Sequence, residues 1–295
     1  MSHSFLDFIA DIFGGNTNYG PLITEQREIS GIDEVELRCF GVLEIQQGSE
    51  PSLVIEAQED IMPNVITEVI DHRLILRLDK SINHMFSIFT QAPGLIFHIV
   101  TNNLHELKIS GSGDALLGDF TTDHLAIAVT GSGNVTAETI TTQSLLIAVS
   151  GSGDISAKHC TTNTAEISVH GSGDIKITSL ESTEATTVQI VASGDIRIQD
   201  LHTNDLAAMI QGSGDIRFSG TAQKQHIRIR GSGDFRAGDL ECGDTIVSIV
   251  GSGDAYVLAH NSLNAQITGS GDIYCDETPA EFTKKVVGSG SVHLP

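Results

Sequence analysis

The chain has 295 residues, of which 40% are apolar, enough to fill one large all-β unit or two smaller domains. Its 38 Asp and Glu against 16 Lys and Arg give a formal charge of −22, which repels phosphate backbones and anionic lipid and argues against a nucleic-acid partner. Cys39, Cys160, Cys242 and Cys275 have neither CxxC nor metal-finger spacing and are too sparse for a disulfide framework, so they are read as reduced thiols.

Residues 1–21 are predicted to be an amphipathic helix and linker. Ser4 can cap a helix whose Phe5, Phe8, Ile9, Ile12 and Phe13 share one side, and Gly14, Gly15, Asn16 and Gly20 follow as linker. Such a helix covers an exposed end of the core or docks on a membrane surface or partner, and its acidic polar face argues against anionic lipid. The start lacks a basic n-region, and Asp7 and Asp11 interrupt its apolar stretch, so it does not resemble a cleavable export signal and the chain reads as cytoplasmic. No run of about 18 apolar residues occurs, so no transmembrane segment is expected.

Residues 22–295 are expected to form a single β domain. In its leading portion, 22–105, Val35, Leu37 and Cys39 alternate with polar residues, as do Leu53 and Ile55 and then Leu74, Leu76 and Leu78, before a looser stretch from Ile82 to Pro93. From 106 to 295 the tetrapeptide Gly-Ser-Gly-Asp recurs, with its first position at Gly111, Gly131, Gly151, Gly171, Ala192, Gly212, Gly231, Gly251, Gly269 and Gly288. Successive steps are 20, 20, 20, 21, 20, 19, 20, 18 and 19 residues.

With that first position numbered zero, minus 6, minus 4 and minus 2 are Leu125, Ile127 and Val129 in one copy and Leu145, Ile147 and Val149 in the next. Plus 4 holds Val135, Ile155, Ile175, Ile196 and Ile216, plus 6 holds Ala137, Ala157, Ile177, Ile198 and Phe218, and plus 9 adds Phe120, Ile140, Cys160 and Leu180. This is strand alternation at a period too short for a helical return, and a unit that cannot bury its apolar face alone does so by stacking on the next. The expected fold is a right-handed parallel β-helix with coils of about 20 residues, forming a rod about 45 Å long. The variation in step length is expected in the turn after plus 9, where Thr121, Thr122, Thr141, Thr142, Thr161 and Thr162 cluster.

Glycines at zero and plus 2 let the backbone approach the core at the corner, while Ser at plus 1 and Asp at plus 3 face outward and satisfy corner amides. A calcium ladder along Asp114, Asp154, Asp174, Asp195, Asp215, Asp234, Asp254 and Asp272 is the alternative, but one carboxylate per coil falls short of the six to eight oxygens calcium takes. No metal and no cofactor are expected. At plus 5, Lys176, Arg197, Arg217 and Arg236 are expected to neutralise the neighbouring Asp174, Asp195, Asp215 and Asp234, and the file continues as Tyr256, Tyr274 and His293. Basic and aromatic side chains along one exposed line suit a glycan or peptide ligand, because rings offer stacking faces and Arg forked donors; a surface ladder without a ligand is the alternative. A second outward line, with Leu146, Ala148, Met209, Ile246 and Val250, is more apolar than solvent requires and is a candidate interface for a homo-oligomer or protein partner.

The stretch "ISGIDEVELRCFGVLEIQQGSEPSLVIEAQEDIMPNVITEVIDHRLILRL", followed by "LHELKISGSGDALLGDF" and the serial corners, resembles the auto-transporter adhesin head family, the GIN domain, a bacterial β-helix family. The resemblance runs from about residue 26 to the end and implies export or display at the cell surface, an adhesive role, and no catalytic residues. The residues themselves agree on the last point. The His residues hold no common repeat position, and GxSxG, phosphate-loop and paired metal-ligand patterns are missing. The sequence is therefore read as a non-catalytic β-solenoid scaffold or adhesin-like protein presenting repetitive surfaces to protein or glycan, possible self-association included. A β-helix polysaccharide lyase or hydrolase is the alternative.

Overall fold

The computed structural model describes residues 20–79 and 94–295. The expected helix over Phe5 to Phe13 and the stretch from Ile82 to Pro93 lie outside the described residues. Within them, the chain is all-β apart from one 3-10 turn, Met62–Asn64.

The leading strands are β1 (Leu22–Arg27), β2 (Glu34–Leu37), β3 (Val42–Gln47), β4 (Ser52–Gln58), β5 (Val65–Ile70), β6 (Arg73–Leu78) and β7 (Leu95–Thr101). β2 and β3 are the first coil, turning at Gly41, whose φ of +112° is a glycine conformation. Toward the repeats, β2 lies parallel to β8 (Glu106–Ile109) and β3 parallel to β9 (Asp114–Leu117). On the other side β6 covers β2 and β7 covers β3, both parallel, after which the pattern changes. β5 joins β6, β4 joins β7 and β1 joins β4, all antiparallel. Antiparallel pairing thus closes this end, while Leu22, Ile23, Val69 and Ile70 stay exposed on its outermost strands.

The repeats follow as β10 (Phe120–Thr121), β11 (His124–Val129), β12 (Val135–Thr141) and β13 (Ser144–Val149), then as strands that each run almost a full coil: β14 (Ile155–Val169), β15 (Ile175–Ile190), β16 (Ile196–Gly212), β17 (Ile216–Gly231), β18 (Phe235–Gly251) and β19 (Ala255–Gly269). β20 (Ile273–Cys275), β21 (Glu281–Gly288) and β22 (Val292–His293) complete the β-solenoid. All pairings between repeats are parallel, and outside the register slips they join equal repeat positions, such as Ile155 to Ile175 to Ile196. The plus 4 and plus 6 residues and those at minus 4 and minus 2 are buried as ladders from Gly131 to Gly269, and the plus 9 residues from Phe120 to Leu201 and again at Leu240, whereas Thr221 and His260 at plus 9 are exposed. Where Phe218 and Phe235 enter adjacent coils they meet edge to face, with centroids 5.8 Å apart at 85°, an arrangement suited to the ring quadrupoles.

Register slips occur at two places. Thr162/Thr164, Ser182/Ala185 and Cys242/Asp244 lie after plus 9, as the spacing predicts, but Ile198/Leu201, Arg217/Ser219 and Ala237/Glu241 lie between plus 5 and plus 10. Both turns absorb length because neither is held by a stack of glycines. The first is pinned by hydroxyls instead. Thr142 Oγ1 donates to the carbonyls of Asp123 (2.9 Å) and Ser144 (3.2 Å), Thr162 Oγ1 to that of Thr164 (2.9 Å), and Ser182 Oγ to that of Ala185 (2.9 Å). These side chains are buried, so the bonds satisfy carbonyls that a core would otherwise strand.

An ionic cluster ties the leading strands to the first repeat. Glu36 is 3% exposed and accepts hydrogen bonds from Arg38 Nη2 and Ser110 Oγ, both at 2.6 Å, with Arg73 and Lys108 at 4.0 and 3.9 Å. Burial pushes its carboxyl up, but the bonds from Arg38 and Ser110 and the charges of Arg38 and Lys108 outweigh it and hold the carboxyl below the ordinary glutamate range. A depressed folded-state value means stability that is present above the unfolded value, about 4.3, and is lost as pH falls through the folded one. Glu36→Gln is expected to cost about 1–3 kcal/mol at pH 7 and to lose less stability between pH 5 and 3 than the parent, measured by denaturant midpoints at each pH.

Candidate binding strip

Strand alternation sends plus 4 and plus 6 inward and plus 5 outward, so parallel register places the plus 5 side chains one above another. Lys176, Arg197, Arg217, Arg236, Tyr256, Tyr274 and His293 are successive register partners. Two residues earlier in each coil stands the Asp of the corner. Each accepts, through Oδ1, the backbone N–H of the same position in the next coil: Asp114 from Asn134 (2.8 Å), Asp154 from Asp174 (2.8 Å), Asp174 from Asp195 (2.9 Å), Asp195 from Asp215 (2.8 Å), Asp215 from Asp234 (2.9 Å), Asp234 from Asp254 (2.9 Å) and Asp254 from Asp272 (2.7 Å). The side chains therefore satisfy corner amides, and the amide belongs to the next coil rather than to the same turn.

Asn134 stands in this file and makes the same bond, its Oδ1 accepting Asp154 N–H at 2.9 Å. A neutral amide oxygen is enough to hold the corner. Asp154→Asn is accordingly expected to leave stability within about 0.5 kcal/mol, whereas Asp154→Ala orphans the part-buried Asp174 N–H and costs about 1 kcal/mol. Equal thermal midpoints for the two variants would contradict this role of the bond.

The cationic file does not neutralise the acidic one evenly. Lys176 Nζ lies 3.5 Å from Asp174 Oδ2, and Arg236 Nη2 lies 2.9 Å from Asp234 Oδ2 and 3.8 Å from Asp215 Oδ2. The Asp234 hydrogen bond, opposed by burial, raises Arg236 above the ordinary guanidinium value. Arg197 and Arg217 differ. Both are exposed, and neither makes an ion pair or hydrogen bond with any described residue. The expectation that all four cations pair with their Asp is corrected for these two.

The aromatic part of the file is a stack. Tyr256 and Tyr274 have centroids 4.8 Å apart with planes 8° from parallel, and Tyr274 and His293 are 4.6 Å apart at 10°. In-register rings on adjacent parallel strands meet face to face because strand spacing matches stacking distance. Their faces are thus turned largely toward one another, and the expectation of ring faces free for a ligand is corrected: the strip offers ring edges and the Tyr256 hydroxyl. Tyr274 hydroxyl donates to Asp272 Oδ2 at 3.3 Å, and burial together with the Asp272 charge raises its value above the ordinary phenol.

The second outward line is less continuous than its residues suggest. Leu146, Ile246 and Val250 are exposed, while Ala148 and Met209 are half-buried. Leu146 and Ile246 share the minus 5 file, but Glu166, Thr187, Ala207 and His226 lie between them. An open groove beside Ala207 is lined by Leu206, Lys224, His226, Asp244 and Ile246, where burial and then Arg228 push His226 down.

The four cysteines are buried and unpaired. Burial pushes Cys39 and Cys160 up to about 12 and Cys242 to about 11, which keeps these thiols protonated and unreactive at neutral pH. Among the described residues no group of three His, Cys, Asp or Glu side chains is placed to hold a metal ion, and no helix is long and apolar enough to cross a membrane. The repeat spacing located the plus 5 file. It could not show which of its cations are already paired, since that depends on rotamers.

A family model described as "Putative auto-transporter adhesin, head GIN domain" matches residues 33–201 and 183–279. The chain is similar in fold to crystal structures of a "putative lipid binding protein" and a "putative adhesin", both from Parabacteroides distasonis ATCC 8503. The first is 24% identical with a TM-score of 0.54, the second 18% identical with 0.52, and each match covers 92% of this chain and 96% of the other. A "putative adhesin" from Parabacteroides merdae ATCC 43184 is 19% identical with a TM-score of 0.51, covering 92% and 95%. Among curated proteins no match was found.

Proposed function

The chain belongs to the auto-transporter adhesin head GIN-domain family, and from that membership we propose that it is a non-catalytic β-solenoid whose plus 5 strip binds a glycan or protein ligand. The observation that carries the proposal is the pair Arg197 and Arg217. These are exposed guanidinium groups on adjacent strands with no described protein partner, in a chain whose formal charge is −22. Like charges directly opposite one another on neighbouring strands are destabilising, so the arrangement gains most when a ligand accepts from both. The coil wound in the right-handed sense, the usual hand of parallel crossovers, and residues 22–295 acting as a single domain are parts of the same proposal.

The description of the family as an auto-transporter adhesin head favours export or surface display, and the cytoplasmic reading gains no support from it. The broken outward line through Leu146, Ala148, Met209, Ile246 and Val250 makes self-association a weaker reading than ligand capture. At one end of the solenoid Lys284 takes the inward position that continues Leu263, Ala265 and Ile267, between Phe282 and Val286. An inward charge on a terminal strand discourages addition of a further strand.

The test is Arg217→Ala combined with Tyr256→Ala. Both side chains project from the sheet: truncating Arg217 costs within about 0.5 kcal/mol of stability and losing the Tyr256–Tyr274 stack about 0.5–1.5 kcal/mol, while loss of a forked donor and of the Tyr256 hydroxyl at a contact centre costs about 2 kcal/mol or more of binding. Captured glycans on an array, or captured proteins on a surface-protein panel, are expected to be lost by the double variant while it still melts cooperatively within a few degrees of the parent. Unchanged capture would reduce the strip to a surface ladder.

A further inference from the structure

Two files of opposite hydrogen-bonding capacity run side by side on this face. The plus 3 carboxylates are acceptors only and the plus 5 guanidiniums are donors only. In the coils of Lys176 and Arg236 the two files close on each other, through Lys176 with Asp174 and Arg236 with Asp234. In the two coils between them they do not. Asp195 Oδ2 has no described partner, Asp215 Oδ2 has only Arg236 at 3.8 Å, and Arg197 and Arg217 have none. The charge on these carboxylates is also more than the fold requires, since Asn134 holds its corner with a neutral oxygen.

Resting on the strip being the binding face, we infer that its ligand is an uncharged polysaccharide lying along the rod axis, with vicinal hydroxyls bridging Asp195 to Arg197 and Asp215 to Arg217. A sugar hydroxyl both donates and accepts, so a neighbouring pair of hydroxyls donates to the carboxylate and accepts from the guanidinium, using each group in the only sense it has. The two open pairs are one coil apart, about 4.8 Å, a separation on the scale of a pyranose ring, so consecutive sugar units meet equivalent partners. An acidic polysaccharide fits less well. Its carboxylates would face Asp195 and Asp215 at close range, within the field of a chain that is acidic throughout.

The probes are cellohexaose, xylohexaose and mannohexaose as neutral hexamers and hexagalacturonate as the acidic one, titrated calorimetrically into the full chain. The variants are Asp195→Asn, which keeps the ladder bond as Asn134 does, Arg217→Gln, and Asp254→Asn as a control in the same file outside the open pairs. At least one neutral hexamer is expected to bind, to weaken tenfold or more in both Asp195→Asn and Arg217→Gln, and to be unchanged in Asp254→Asn, with all melting midpoints preserved. Hexagalacturonate binding more tightly than every neutral hexamer, and gaining affinity in Asp195→Asn, would overturn the inference in favour of a simple anion site. No binding of any neutral hexamer at millimolar concentration would also overturn it. In both cases loss of another captured ligand in the Arg217→Ala, Tyr256→Ala chain would leave the strip itself standing. Neutral-sugar binding indifferent to every strip variant would sink the inference and the strip together.

Discussion

Ile175→Asp is expected to cost at least about 4 kcal/mol and to unfold the coils around it. Ile175 is fully buried and stands between Ile155 and Ile196 in the plus 4 ladder. A carboxylate there stands between two aliphatic ladder partners in the apolar core, so it is either buried unpaired or protonated at a large free-energy cost, and the dispersion contacts of the ladder are lost as well. Stacked repeats share such damage with their nearest neighbours. Lys176→Asp, one residue on and exposed, is the control: it breaks a surface pair with Asp174, worth under about 1 kcal/mol. Thermal melts of the two variants decide the matter, and a midpoint for Ile175→Asp within a few degrees of the parent would mean that plus 4 does not face the core.

Gly153→Ala is expected to cost about 3 kcal/mol or more, an unusual penalty for a single methyl. The glycine does not have a left-handed backbone, so the argument is steric. A Cβ on Gly153 would run into the carbonyl oxygen of Gly133 in the coil beneath, and Gly133 and Gly173 face the same obstacle. Backbone on both sides leaves little to shift, so overpacking is relieved only by opening the corner. A Cβ at the zero position meets the carbonyl beneath in the same way, as at Gly151 against Gly131; the plus 2 position is Gly in all ten copies, while the zero position is once Ala192. Even there the stack loosens, with Ser193 N–H to Gly171 O at 3.4 Å against 3.1 Å for Ser172 N–H to Gly151 O. Denaturant titration against Ser152→Ala, whose side chain is exposed, checks the effect, and coincident curves would contradict it.

The β-solenoid was legible because its cause is periodic. A repeat near 20 residues with apolar plus 4 and plus 6 positions has no other economical way to bury them, and residues such as Ile155, Ile177 and Val149 are buried as that pattern requires. The leading strands were less legible. Alternation in Leu53 and Ile55 or Leu74 and Leu76 identifies strands but not direction, and of the antiparallel pairs only β5 with β6 is a local hairpin, while β1 with β4 and β4 with β7 join distant segments that no repeat reveals. At the strip, the identities and register of Arg197, Arg217, Tyr256 and Tyr274 followed from spacing alone. What spacing could not supply was the direction of each side chain. It did not show that Arg236 turns to Asp234 while Arg217 turns to none, nor that the two Tyr rings occupy each other's faces. The hydroxyl pins at Thr142, Thr162 and Ser182 were visible as a Thr-rich cluster, and a buried hydroxyl at a fixed repeat position was the signal that would have assigned them to the turn.

The account rests on the outward face of the coils between Asp195 and Arg236 being where the ligand lies. Photo-cross-linking with a diazirine-bearing neutral hexasaccharide, followed by peptide mapping of the labelled chain, tests this most directly. Label is expected on residues 195–217, competed by unlabelled hexasaccharide and absent from the Arg217→Ala, Tyr256→Ala chain. Competed label concentrated instead on the second outward line, at Leu146, Ile246 or Val250, would contradict it.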